Sequence, residues 1–352
     1  MSFWAPASRA RRDAKMRARV YRELDVLLRN GVSMDESLAK IHQIASDFGR
    51  SPNSPKAVMV ADLRSRPGED FQVSIARWAP PLEATMIGIG FQTGKMSDSF
   101  AAVDLLLKKR SELRETCIKL IPYPVVLVAM TLVMLVNINN DMTPALLAMA
   151  PASEWKGAAA LLMLLGKIAS AIWMPLAAVM AGLAIAIPVA FPRLTGDIRY
   201  RLEVFGPFKY YRIIVGAFTL YTYSVLVHRG VPENDALKQL LATSNPYLRE
   251  RLVAILRGTG NGRNIGTALR EADFNFPDKE SIAYVELLAG KTGFAAALSD
   301  FSKEMLSDYI NRLKEWLVLI ATVCLLFAIG VSALNALSAF EINSVSRSMM
   351  SR

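Results

Sequence analysis

Four sets of residues in this chain have types that could do chemistry. Gly290-Lys291-Thr292 reads like the end of a Walker loop, in which glycine amides and a lysine hold nucleotide phosphates. That loop needs another glycine five residues before Gly290, and the residue there is Val285. Gly258, Gly260 and Gly262 are spaced like a phosphate cradle, but the dinucleotide fingerprint requires a preceding strand and none is read there. His42 and His228 could ligate a metal, yet neither has a Cys, His or Asp at ligand spacing. Cys117 and Cys324 lie in or beside apolar stretches with no paired spacing, so no disulfide framework is expected. No Ser/His/Asp, Cys/His or HExxH constellation appears. The expectation is a chain that is not an enzyme, with no catalytic, cofactor-binding or metal site.

Three stretches carry no charged residue: Leu120–Val136, Ile168–Phe191 and Leu317–Phe340. A helix needs about 20 apolar residues to cross the hydrocarbon core. The last two stretches suffice. The first is short, and Cys117, Ile118 and a snorkelling Lys119 extend it. Pro122 and Pro124 fall in its first turns, where missing amides cost least. Only helices and closed barrels satisfy their backbone in lipid, so these read as three transmembrane helices. Gly157–Gly166 is also apolar, but one helix from Gly157 to Phe191 would be roughly 52 Å long at 1.5 Å per residue. Gly157–Gly166 is therefore expected to be an interfacial or tilted extension, anchored by Trp155 and Lys156. The spans contain no ionisable residue, which argues against a pump or secondary transporter.

Charge sets the orientation. Residues 1–119 carry a net +6 and residues 192–316 a net +3, whereas residues 137–167 are balanced. Basic residues crowd the same side of the spans: Lys108, Lys109, Arg110, Arg114 and Lys119, then Arg193, Arg199 and Arg201, then Arg312 and Lys314. Basic flanks stay in the cytoplasm, so both large segments are expected inside and the C-terminus outside. This accounts for most of the formal charge of +10 without nucleic acid. The N-terminal run Arg9, Arg11, Arg12, Lys15, Arg17, Arg19 and Arg22 suits an anionic lipid surface. No apolar stretch follows it, so it does not read as a signal peptide.

The two large segments resemble each other. Gly31-Val32 matches Gly230-Val231, Leu38 matches Leu237, and Thr93-Gly94 matches Thr292-Gly293, all at one constant separation of 199 residues. Leu24, Leu27 and Leu28, then Ile41 and Ile44, recur at helical spacing. Gly31 fits the left-handed position just past a helix. Ser33 with Glu36 has capping-box spacing, and Pro232 suits the start of the equivalent helix in the second copy. Both copies encode a helical hairpin, and each later runs through a charged helix (Asp98–Lys119, Asp300–Glu315) towards a span.

Two copies of a Leu-x-x-x-Gly-Val turn with Leu beyond it, each followed by Thr-Gly and a long helix entering a span, resemble the type II secretion F family. The likeness runs from about Arg19 to Phe340. Compact length and short loops are closest to the type IVb pilus branch, which includes conjugative thin pili. The resemblance implies an all-α membrane protein with two homologous cytoplasmic helical-bundle modules and three transmembrane helices. The divisions are a basic arm at 1–17, a first module at 18–117 and a first span at 118–136. An external loop follows at 137–167, then a second span at 168–191. A second module at 192–316, a third span at 317–340 and an external tail at 341–352 complete the chain. It also implies a non-enzymatic inner-membrane platform of a type IV pilus or type II secretion machine. Its expected partners are a cytoplasmic assembly ATPase, pilin subunits, other inner-membrane assembly proteins, the lipid bilayer and further copies of itself. The family's acidic position at the second turn is Phe91 and Gly290 here, so no metal contact is carried over. The competing class is a small multi-pass transporter or channel, whose repeats should include the spans.

Overall fold

The computed structural model describes residues 11–66, 70–149, 157–204 and 206–350. Within them every regular element is helical, and there is no strand. Three helices are long and apolar enough to cross a membrane: Met96–Ala145, Gly157–Arg193 and Phe294–Glu341. The protein is an all-α membrane protein. Its contacts divide it into two compact units, one built from the chain up to Arg114 with Phe191–Ile310, the other from Glu115–Ala190 with the chain from Asn311 on.

The first unit holds both repeats. In the first copy the helices are α1 (Ala14–Arg29), α2 (Met34–Ala45), α3 (Pro55–Arg64), α4 (Phe71–Ala76), α5 (Pro81–Gln92) and the start of α6 (Met96–Leu120). The second unit contributes α7 (Pro122–Asn137), a π-turn (Ile138–Met142), α8 (Thr143–Met149) and α9 (Gly157–Arg193). The second copy then runs α10 (Gly196–Leu202), α11 (Gly206–His228), α12 (Glu233–Ala242), α13 (Pro246–Gly260), α14 (Ile265–Glu271), α15 (Lys279–Leu288) and α16 (Phe294–Met350). The separation of 199 residues maps Arg29, the end of α1, onto His228, the end of α11, and Met34 onto Glu233.

The repeated Gly-Val pair is a helix stop made the same way twice. Gly31 has φ +79° and Gly230 φ +89°. In the first copy Val32 N donates to Leu27 O (3.1 Å) and Gly31 N to Leu28 O (3.1 Å). In the second, Val231 N donates to Leu226 O (3.2 Å) and Gly230 N to Val227 O (2.9 Å). This is a Schellman closure, which needs a left-handed residue at the glycine. The restart differs between copies. Ser33 Oγ accepts from Glu36 N at 3.3 Å, but the Glu36 carboxylate pairs with Lys40 at 2.7 Å, so only half of the expected capping box forms. Pro232 is the N-cap of α12 and offers no side-chain acceptor. Leu38 and Ile41 bury the apolar face of α2, while Ile44 is 65% exposed, at the helix end where the stripe turns to solvent.

Two sequence expectations about the second unit change. The segment expected as a loop at 137–167 is helical wherever it is described. Trp155 and Lys156, the expected anchors, lie outside the described residues. Gly157–Gly166, expected as an interfacial or tilted extension, is continuous with the second span, and α9 runs unbroken for 37 residues. The reason is packing. Leu162 and Ala169 of α9 enter a core with Leu135, Ile138 and Val331, so one face of its first turns is covered by protein, while Leu161 and Leu164 on the other stay exposed. Gly166 permits the approach, since a Cβ there would lie 3.2 Å from Leu135 O. At its start, Ala158 N and Ala159 N donate to Glu341 Oε1 (3.1 Å) and Oε2 (2.9 Å), so a carboxylate from α16 satisfies two of its orphan amides. The beginning of α9 and the apolar end of α16 are therefore at the same level, and these two helices run antiparallel.

Candidate functional site

The glycine-rich constellations are helix ends. Helix α13 continues to Gly260, and Gly262 (φ +80°) closes it: Arg263 N donates to Gly258 O (3.2 Å) and Gly262 N to Thr259 O (3.0 Å). Gly258 lies inside the helix because a Cβ there would come within 2.8 Å of Ala268 Cβ on α14. These amides cap their own helix and are not arrayed around a ligand. At the other site Gly290 has φ +79°, and Lys291 N donates to Leu288 O at 3.1 Å. Lys291 is exposed beside this turn. His42 Nδ1 lies 3.2 Å from Ala57 O, and both cysteines are free. Among the described residues no three His, Cys, Asp or Glu side chains gather as a metal cluster would require.

What the fold does bring together is the seam between the copies. Helix α11 of the second copy lies along α6 of the first. Tyr221 OH donates to Ala102 O (3.1 Å), and Arg229 Nη1 donates to Lys95 O (2.9 Å). The Arg110 guanidinium sits 5.5 Å above the Phe218 ring. Burial pushes the Tyr221 hydroxyl up and the Arg110 and Arg229 guanidinia down from their ordinary pKa values. The landmarks of opposite copies thus meet. Lys95 follows the Thr93-Gly94 turn of the first, and Arg229 precedes the Gly230-Val231 turn of the second. A cavity of about 440 Å³ opens beside this contact. It is lined from both copies: the matching ends of α1 and of α11 (Arg29, His228), the first turn of α6 (Asp98) and the second turn of α16 (Asp300).

Each copy also buries a charged group that sequence reasoning placed on the surface. In the first, Arg17 and Glu83 are each 2% exposed. Arg17 Nε and Nη2 donate to the two Glu83 oxygens, both at 2.8 Å, and Arg17 Nη1 donates to Arg11 O (2.7 Å). Burial works against the Arg17 charge, but the hydrogen bonds and attraction of Glu83 outweigh it and leave the guanidinium above its ordinary value. Arg22 pairs with Asp104 at 3.0 Å. Arg17 is thus held inside the first module and not at a lipid surface, whereas Arg22 stays exposed in its pair; Arg9 lies outside the described residues. In the second copy, Glu203 is met by Arg251 Nη2 (2.7 Å), Arg212 Nη1 (3.2 Å), Arg199 Nε (3.3 Å) and Tyr247 OH (3.0 Å). Arg199, counted from sequence among the basic flanks, is fully buried. The rings of Tyr247 (4.5 Å), Phe208 (4.7 Å), Tyr211 (5.3 Å) and Phe191 (5.9 Å) surround its guanidinium. Aromatic faces attract a desolvated cation, which is how this charge is held without full hydrogen bonding. The one available sequence signal was the aromatic clustering Phe208, Tyr210, Tyr211 beside three arginines.

Residues 219–339 match the family described as Type II secretion system, protein F. The match begins in α11, passes the second Gly-Val turn and ends in the third apolar stretch. Residues 219–339, the greater part of the second copy with the third apolar stretch, thus carry the pattern of that family. It is also similar to the toxin coregulated pilus biosynthesis protein E of Vibrio cholerae serotype O1. The two are 21% identical over 292 residues, covering 82% of this chain and 85% of the relative. The family match is confined to the second copy and the third apolar stretch, whereas the likeness to this relative extends over most of the chain.

Proposed function

We propose that this chain is the inner-membrane platform of a type IV pilus assembly machine, of the type IVb branch, which couples a cytoplasmic assembly ATPase to the insertion of pilin subunits into a filament. The observation that carries the reading is the likeness, over most of both chains, to a protein whose name assigns it to pilus biosynthesis. The duplicated helical unit supports it, since two similar modules offer two docking faces while the second unit supplies the membrane anchor. The glycine turns use their amides to close helix ends, which supports a non-enzymatic platform whose energy comes from a separate ATPase. Further partners are other inner-membrane assembly proteins and additional copies of the chain. In a host that makes this pilus, deleting the chain should leave pilin at normal levels in the membrane while surface filaments disappear. Filaments of normal number and length in the deletion would overturn the assignment.

We further propose that both repeats lie in the cytoplasm and that the start of α9 and the end of α16 face the periplasm. The basic flanks at Lys108–Lys119, Arg193 and Arg312–Lys314 support this orientation. The Glu341 carboxylate at the start of α9 supports the same folding of the three spans. Reporter fusions at Asn53, Ser153, Asn261 and Ser348 should read inside, outside, inside, outside. A cytoplasmic reading at Ser153 would exclude three crossings in this order.

A further inference from the structure

We propose that the cavity between the two repeats binds a phosphate-bearing small molecule, held by Arg229 and Lys95. The argument starts from Arg229, only 8% exposed at the cavity wall. It spends one donor, Nη1, on Lys95 O, and its buried Nε has no partner. No carboxylate among the described residues reaches it within ion-pair distance. Asp98 is the acid whose charge favours the guanidinium, but that side chain is 65% exposed. An arginine charge buried with no carboxylate in contact is costly, and burial holds this guanidinium below its ordinary pKa. An anion in the cavity would supply the missing charge.

The rest of the lining agrees. Arg29, Lys95, Arg229 and Lys303 stand against two carboxylates, Asp98 and Asp300. Asp300 is engaged by Lys303 at 2.9 Å, and Arg29 by Asp25 at 2.7 Å. Lys95 is exposed, and among the described residues it has no ion-pair partner. With Arg29 and Lys303 paired, Lys95 and Arg229 stand against Asp98 alone, so the cavity keeps a net positive charge, and the guanidinium fork matches phosphate oxygens. That charge also argues against a cation. The volume, about 440 Å³, falls within the range of roughly 300–1,000 Å³ typical of small-molecule pockets and exceeds what a bare phosphate fills. Leu105 and Val225 give an apolar wall for the remainder of the molecule. Because both repeats line the cavity, a bound phosphate would bridge them and fix the seam.

The test uses the full-length protein in neutral detergent micelles, titrated calorimetrically with inorganic pyrophosphate at constant ionic strength. Saturable one-to-one binding is expected, with no heat from acetate. Lys95→Ala should weaken it on the order of tenfold, the loss of one charge-assisted contact, and Arg229→Gln should abolish it. Lys95 is the deciding variant, because it is exposed and its removal leaves the packing alone. Micelles doped with phosphatidylglycerol separate the sources. Competition with pyrophosphate assigns the phosphate to a lipid headgroup, and its absence assigns it to a soluble metabolite. No saturable binding, or an affinity unchanged by Lys95→Ala, overturns the site.

Discussion

Glu203→Gln should cost the protein about 3–5 kcal/mol, the scale seen when one partner of a buried ion pair is removed. Glu203 is the carboxylate on which Arg251, Arg212 and Arg199 converge, at 2.7, 3.2 and 3.3 Å. Glutamine keeps the shape and removes the charge. Arg251 retains a contact of 3.4 Å with Glu250, but Arg199 retains only its aromatic neighbours, which are worth far less than a counter-ion. Arg251 is already held below its ordinary pKa by burial, and losing Glu203 removes one of the attractions that oppose this. The cluster ties α10, α11 and α13 together, so the loss should propagate through the second copy. Thermal unfolding in detergent should shift down on the order of 10 °C, taking about 2–4 °C per kcal/mol for a unit of this size. Glu36→Gln serves as the control, because its pair with Lys40 is an exposed contact between successive turns and should change nothing measurable. A Glu203→Gln chain that melts within 2 °C or so of the parent would show that the aromatic cage alone carries Arg199.

Arg17→Ala should be comparably damaging in the first copy, again about 3–5 kcal/mol, because it strands Glu83 under a fully buried Tyr21. Tyr21 OH donates to Glu83 Oε2 at 3.3 Å, and burial is the main reason its hydroxyl pKa is raised well above the ordinary value. The phenol therefore stays protonated and can give Glu83 one hydrogen bond, but no charge. The informative comparison is the double variant Arg17→Ala with Glu83→Leu. Replacing both members by apolar groups removes the stranded charge and should recover most of the loss. A double variant as unstable as the single one would mean that Arg17 acts through the packing of its stem and its bond to Arg11 O, and not through Glu83.

How far the sequence could be read depended on the range of the interaction concerned. The helical class, the three apolar helices and the duplication follow from composition and from short-range rules. A run without charges has few places to fold except lipid, and a glycine past a helix end closes the same two hydrogen bonds in either copy. Gly31 and Gly230, with φ near +80° and +90°, were legible because their job is done within five residues. Gly258–Gly262 has the composition of a loop, yet the segment is a helix end. Gly258 looks like a turn residue until Ala268 is placed against it.

The charged residues went the other way. Arg17, Arg199 and Arg251 look like solvated or membrane-flanking cations in one dimension, because an arginine's partner is set by distance in space. Glu83 lies 66 positions from Arg17, and Glu203 lies 48 from Arg251. The continuity of α9 was hidden for a similar reason, since its length exceeds a bilayer and only the cover from Leu135, Ile138 and Val331 makes an unbroken helix the cheaper choice. The sequence by itself determined that this chain is a duplicated, all-helical membrane protein, since local hydrogen bonding and hydropathy are written residue by residue. Tertiary structure alone decided which charges are buried, and that the Thr-Gly turn of one copy meets the Gly-Val turn of the other around a cationic cavity. Those outcomes depend on which distant side chains share a low-dielectric space, where one missing partner costs more than any local preference can repay.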